Sequence, residues 1–159
     1  MTPNLSASEE IVDTGCELIY YPYFLAADSA RLFTNLQSEL DWKKEYLTMF
    51  GKTIPSPRLM ALYGEDGISY RYSGTEHKAA TWTTALTQIN QLITQVCGQP
   101  FNSVLANLYR NGEDSMGWHS DDEAELGVNP VVASISLGAE RDFVLRNKSD
   151  TSEQYKFNL

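Results

Sequence analysis

Apolar positions along this chain recur at a helical spacing in two stretches and at a two-residue spacing in several others. Leu18, Tyr20 and Pro22, set against Ile19, Tyr21 and Tyr23, predict a short strand over 17–24. From Asp28 to Leu40 the residues Leu32, Phe33, Leu36 and Leu40 fall on one side of a helix, with Trp42 as core packing beside it. Thr81 to Cys97 is the clearest helix, with a stripe of Trp82, Leu86, Ile89, Ile93 and Val96 that Gly98 and Pro100 bring to an end. Between the helices, 46–74 is punctuated by Gly and Pro and predicts loops and hairpins. After Phe101 the period changes. Val104, Ala106 and Leu108 alternate with Leu105, Asn107 and Tyr109, and Asn111-Gly112 closes that strand. Val131 to Leu137 predicts a second strand, Arg141 to Arg146 a third, and Tyr155 to Leu159 alternates like another. Helices first and strands after fit the α+β class, a jelly-roll with helices packed on one face.

The composition adds bounds. At 159 residues, 42% hydrophobic and 21% charged, the chain has the length and make-up of one soluble domain able to bury a core. Residues 1–10 are polar and acidic and predict a flexible tail, with neither a signal peptide nor a membrane span. Cys16 and Cys97 fit no metal spacing and predict idle thiols in a reducing compartment, hence a cytoplasmic or nuclear protein that is not secreted. A net charge of −9 sits poorly with a partner made of phosphates. Its distribution softens the objection, because Lys43, Lys44, Lys52, Arg58, Arg71 and Lys78 fall in one half of the chain.

The chemistry concentrates at Trp118-His119-Ser120-Asp121. On an extended backbone His119 and Asp121 share a face. One imidazole and one carboxylate are then most of a 2-His-1-carboxylate facial triad, which holds non-haem Fe(II) with open positions for small ligands. The plain alternative is a solvated acidic turn, since Asp121, Asp122, Glu123 and Glu125 crowd together. The pair falls in the link between two predicted strands, where a sheet can aim loop residues at a ligand. Asn107 and Tyr109 share a strand face just upstream. Trp118 either walls the site or packs in the core.

In order along the chain, Met49-Phe50-Gly51-Lys52, Pro57-Arg58, Tyr63-Gly64, Tyr70-Arg71-Tyr72-Ser73-Gly74, Asn107-x-Tyr109, His119-x-Asp121-Asp122-Glu123 and Pro130-x-x-Ala133-Ser134-x-Ser136-x-Gly138-Ala139 resemble the AlkB family. Arg141-Asp142-Phe143 continues the likeness, which covers roughly 47–146 and is closest to the branch that repairs double-stranded DNA. The resemblance implies a double-stranded β-helix (jelly-roll) over 11–159, with 46–78 as the nucleotide-recognition part and 101–159 as the jelly-roll part. It implies Fe(II), 2-oxoglutarate and O2 as cofactors, a monomer, and alkylated DNA or RNA as partner. The implied reaction removes methyl groups from 1-methyladenine and 3-methylcytosine, releasing formaldehyde and succinate.

By the same resemblance His119 and Asp121 are iron ligands, and Asn107 and Tyr109 hydrogen-bond 2-oxoglutarate. Phe50, Gly51 and Lys52 match a hairpin that enters the duplex, an apolar wedge with a cation for phosphate. Arg58 matches a phosphate or strand contact. Tyr70, Arg71 and Tyr72 match an element lining the base pocket, while Asp122 and Glu123 lie beside the target base. The family's second iron-binding His and the two Arg residues that clamp 2-oxoglutarate match nothing here: His77 reads as a surface histidine, and Arg141 and Arg146 precede the positions required. The expectation is a domain incomplete at its C-terminal side. Two other readings stay open, a truncated and inactive family member, or a related oxygenase acting on protein or small molecules.

Overall fold

A computed structural model describes residues 10–13, 17–49, 51–72, 75–121 and 126–159. The chain divides into two compact units, Met1–Gln37 with Ser134–Leu159, and Ser38–Ala133.

In the first unit, β1 (Glu10–Asp13) pairs antiparallel with β2 (Glu17–Tyr20), and the helix α1 spans Ser29–Glu39. The predicted strand over 17–24 stops at Tyr20, because Pro22 opens a run of turns in which Tyr23 takes a positive φ of 64°. α1 starts where the Leu32 amide donates to the Asp28 carbonyl, with Arg31 bonded at 2.6 Å to the Asp28 carboxylate. Leu32 is fully buried, and its truncation to Ala would cost about 3 kcal/mol.

The last two strands of the chain, β9 (Asp142–Arg146) and β10 (Gln154–Asn158), pair antiparallel with Phe143 opposite Phe157. A turn closes this hairpin through side chains: Asn147 Oδ1 accepts from the Ser149 amide at 2.8 Å, and Asp150 Oδ1 from the Ser152 amide at 3.0 Å. Ser152 donates to Asp150 from both its amide and its hydroxyl, which holds that carboxyl below its ordinary range. The Tyr20 and Phe157 rings lie 5.7 Å apart between centroids, so the two hairpins of this unit meet through an aromatic contact.

The second unit is assembled on β4 (Lys52–Gly64), a strand of 13 residues. It pairs antiparallel with β3 (Lys43–Met49), antiparallel with β8 (Ser103–Leu108), and parallel with the short β7 (Ala80–Thr81). A separate ladder joins β5 (Ser69–Tyr72) to β6 (Thr75–Lys78). Of the loops and hairpins expected over 46–74, the antiparallel β3–β4 and β5–β6 pairs form, while the stretch holding Pro55 and Pro57 is one long strand instead of a loop. Pro55 and Pro57 read as punctuation in the sequence, yet Pro55 pairs with Tyr46, and Pro57 lies at a break in register. There the partners step from Tyr46↔Pro55 to Lys44↔Leu59, leaving Ser56, Pro57 and Arg58 as a bulge opposite Glu45. A proline costs no ladder bond at such a place.

Helix α2 (Thr84–Cys97) is punctuated as the sequence implies. Thr83 caps it by accepting from the Leu86 amide at 3.3 Å, and Gly98 ends it with φ 70°, donating its amide to the Thr94 carbonyl. It begins three residues later than Thr81, which is in β7 instead. Its buried stripe is Ala85, Leu86, Ile89 and Leu92, shifted round the helix from the predicted one. Asn90 then clips the helix to the next segment, donating to the Phe101 carbonyl at 2.7 Å and accepting from the Phe101 amide at 3.3 Å. That clip delivers the chain into β8. With Met60, Ala61 and Tyr63 of β4, the α2 stripe supplies most of this unit's core among the described residues.

The strand expected over Val131–Leu137 does not form. Apolar alternation predicts a face, but a strand has no internal hydrogen bonds and needs a ladder partner, and none is present among the described residues. Val131 and Val132 accordingly stay exposed.

Gly64 shows how closely β4 and its neighbours approach. A Cβ placed there would meet the Asn102 carbonyl oxygen at 2.9 Å and Ser103 Cβ at 3.2 Å. Gly64→Ala is expected to cost about 2 kcal/mol of stability in denaturant unfolding, while Gly112→Ala, with open space around it, changes little. Equal effects of the two substitutions would contradict this packing.

Candidate active site

The site is built from β4, the C-terminal end of β8 and the loop that follows. Register sets Asn107 of β8 opposite Met60 of β4, so Asn107 shares a face with Met60 and with Arg58 two residues away. Arg58 is buried and its Nε donates to Asn107 Oδ1 at 2.7 Å. Tyr109, directly after β8, is half-buried.

Beyond Tyr109 the loop is tied down at several points. Arg110 grips Asp114 through its backbone amide at 2.9 Å, Nε at 2.7 Å and Nη2 at 2.8 Å. Asp114 is buried, and its hydrogen bonds push the Arg110 guanidinium further above its usual range. Asn111 Oδ1 accepts from the Glu113 amide at 2.9 Å, forming an Asx turn at the predicted Asn-Gly position. The Ser115 amide donates to the Pro57 carbonyl at 2.8 Å, which fastens the loop to the bulge of β4. Sequence reasoning passed over Asp114 and this fastening. The spacing of four between Arg110 and Asp114 was the available signal for the first, and nothing in the sequence announces the second.

The loop then presents His119 and Asp121, both about half exposed, with Nε2 and Oδ1 3.6 Å apart. His119 Nδ1 lies 3.0 Å from the Gly117 carbonyl oxygen. A carbonyl accepts only, so Nδ1 carries a proton, and in the neutral imidazole Nε2 keeps its lone pair, 3.6 Å from Asp121 Oδ1. Ligating histidines are commonly held in this way, by a backbone carbonyl on the other ring nitrogen. Two donors bound side by side to one first-row metal stand about 3 Å apart, close to the separation present here. The donor set thus fits a divalent iron on two of its positions. Among the described residues no cluster of three or more His, Cys, Asp or Glu side chains is arranged around a metal.

The other predicted residues are distributed as follows. Gly51 sits in the β3–β4 turn with φ 73°, and Lys52 opens β4, exposed. Phe50, Asp122 and Glu123 lie outside the described residues. The backbone of Tyr70, Arg71 and Tyr72 runs as β5, with Tyr70 opposite His77 of β6, and their side chains are not described. Of the cationic half, Lys43 and Lys44 are exposed on β3, with Lys43 Nζ 3.3 Å from Asp41, and Lys78 is exposed on β6. Among those whose side chains are described, Arg58 is the buried one. Trp118 is 55% exposed, so it is not core packing and stands beside His119. His77 Nδ1 is 3.5 Å from Glu45 Oε1 in a shallow cleft lined also by Asp41, Lys43, Tyr63 and Leu105, and neither His119 nor Asp121 lines that cleft.

Asp114→Ala removes the acceptor for three donors of Arg110. The expected outcome is a lower unfolding midpoint, with limited proteolysis cutting first within 110–121. A loop as resistant as the unmodified one would show that the fastening lies elsewhere.

Comparison with known proteins gives the family. The profile of the 2OG-Fe(II) oxygenase superfamily matches residues 17–159. The chain is 37% identical over 137 residues to the bovine DNA oxidative demethylase ALKBH2, covering 84% of this chain and 49% of the relative. It is 38% identical over 137 residues to the human protein of the same name, covering 84% and 52%. To the rat alpha-ketoglutarate-dependent dioxygenase alkB homolog 3 it is 39% identical over 135 residues, covering 84% and 45%. The chain spans about half the length of the curated relatives it matches.

Proposed function

The chain belongs to the 2OG-Fe(II) oxygenase superfamily, and within it we propose that it serves the oxidative demethylation of N-alkylated bases in DNA, with Fe(II), 2-oxoglutarate and O2. The observation that carries this reading is the His119–Asp121 pair, whose imidazole is held at Nδ1 by the Gly117 carbonyl with Nε2 3.6 Å from a carboxylate oxygen. The names of the relatives, DNA oxidative demethylases among them, supply the substrate class. The jelly-roll expected from the sequence is part of the same proposal.

In this reading His119 Nε2 and Asp121 hold the iron, and the Gly117 carbonyl fixes the imidazole tautomer. Asn107 and Tyr109 hold the carboxylate of 2-oxoglutarate from the end of β8. The Arg110–Asp114 grip and the Ser115–Pro57 bond keep the loop from drifting, so that the ligands and the co-substrate residues stay in register. When bound, iron with 2-oxoglutarate and O2 supplies the oxidation of the N-methyl carbon, after which formaldehyde leaves and succinate and CO2 remain. The protein's part is to position the base and exclude competing reactions. Phe50, Gly51 and Lys52 act at the duplex and Tyr70, Arg71 and Tyr72 receive the extruded base. Asp122 and Glu123 lie against it, where a carboxylate pairs with the exocyclic amine. A methylated base has already lost its pairing and is cheaper to extrude, which contributes selectivity. The net charge of −9 leaves backbone contact to local cations such as Lys52.

The test is mass spectrometry of a 1-methyladenine oligonucleotide incubated with the protein, Fe(II), 2-oxoglutarate and ascorbate. Loss of one methyl is expected, abolished by a chelator and lowered at least about a hundredfold by His119→Ala. Phe50→Ala is expected to impair duplex more than single-stranded substrate. Demethylation that survives His119→Ala would sink the assignment of the metal site.

A further inference from the structure

We infer that Arg58 is a positioning residue for the co-substrate: it fixes the carboxamide of Asn107 so that this side chain offers only N–H donors to a carboxylate. The inference rests on the reading of Asn107 given above and assigns Arg58 a role other than contact with nucleic-acid phosphate.

Arg58 is only 4% exposed, in the bulge of β4 opposite Glu45. Burying a guanidinium is costly unless its donors and its charge are used. Among the described residues its one hydrogen bond is Nε to Asn107 Oδ1 at 2.7 Å, a short bond with a charged donor. At this degree of burial the side chain offers little surface to a phosphate. The bond does settle one thing, the orientation of Asn107. A carboxamide can turn through half a rotation and exchange Oδ1 for Nδ2 at almost the same shape, and only its partners choose. Arginine has no acceptor, so the atom facing Nε must be oxygen. Nδ2 with its two N–H groups then points to the other side.

Orientation matters because a carboxylate accepts hydrogen bonds and donates none. With Nδ2 turned toward it, Asn107 binds such a ligand; with Oδ1 turned toward it, two acceptors face each other and the site is penalised. Fixing the amide beforehand removes the cost of choosing on binding. The bulge makes the contact possible, since the extra residues re-aim this part of β4 beside a strand that is otherwise in regular register from Leu59 onward.

Three substitutions separate this role from one that depends on charge. Glutamine places its Nε2 the same number of bonds from the backbone as Arg Nε, so Arg58→Gln keeps the donor and loses the charge. Arg58→Met places a methyl there and loses both. Arg58→Lys keeps the charge but puts a methylene at the donor position, which retains a comparison should the Met variant fold poorly. Binding of 2-oxoglutarate is measured by calorimetry with Mn(II), and the Asn107 side-chain NH2 is followed by 15N-correlated NMR.

Arg58→Met and Arg58→Lys are expected to weaken 2-oxoglutarate binding about tenfold and to move the Asn107 NH2 signals, while Arg58→Gln stays within about threefold. Equal loss in Gln and Met with Lys spared would overturn the inference in favour of a charge role. Unchanged Asn107 signals in all three would overturn it as well. If the unsubstituted protein takes up no 2-oxoglutarate, the co-substrate reading of Asn107 fails. In that case the inferred role fails with it, while the NMR signals still report whether Arg58 holds the amide.

Discussion

The bulge at Ser56–Arg58 in β4 is the constraint on which the second unit's site depends. A strand paired regularly along its whole length would leave the Pro57 carbonyl committed to, or facing, its neighbour in β3. Slipping the register there frees that carbonyl to take the Ser115 amide, and it sets Arg58 inward against Asn107. One irregularity thus orders the end of β8 and the loop leaving it. The loop carries His119 and Asp121, and the strand end carries Asn107 and Tyr109. Shifting β4 by one residue would turn every side chain to the opposite face and take both sets with it.

Stiffness is distributed in the same way. Backbone hydrogen bonds hold β3, β4 and β8 together, whereas the loop after Tyr109 is held by side chains: Asp114 on Arg110, Asn111 on Glu113 and the Gly117 carbonyl at His119. Each of these closes locally, within four residues. Such ties cost little chain entropy, and they leave His119 and Asp121 exposed and open to a ligand while fixing where they are. An exposed pair with a defined imidazole tautomer suits metal binding better than an ordinary acidic turn, whose side chains would be free to spread into water.

Much of this was legible in the sequence, and the failures share a cause. Both helices follow from their apolar spacing, and the end of α2 at Gly98 follows from the glycine itself, which takes a left-handed conformation there. His119-x-Asp121 was visible because its chemistry lies two residues apart. The bulge was not visible: Pro55 and Pro57 read as loop, because only the partner strand reveals that their missing N–H groups are not needed. The opposite error fell at Val131–Leu137, where alternation promised a strand and no ladder formed. Arg58 is the same problem in a single residue. The family resemblance matched it to a phosphate or strand contact, and its bond to Asn107 could not be read there, because only register puts the two side by side. Local patterns specify faces and caps; which neighbour a face meets is settled by the fold.

If His119 and Asp121 hold a divalent metal beside a 2-oxoglutarate site, as proposed, both side chains are needed to bind it. The most direct measurement is equilibrium dialysis of the protein against Mn(II) in the presence of 2-oxoglutarate, with His119→Ala and Asp121→Ala run alongside. About one ion per chain is expected for the unsubstituted protein, with loss of most of that binding in each variant. Binding that is the same in all three proteins would contradict the proposal.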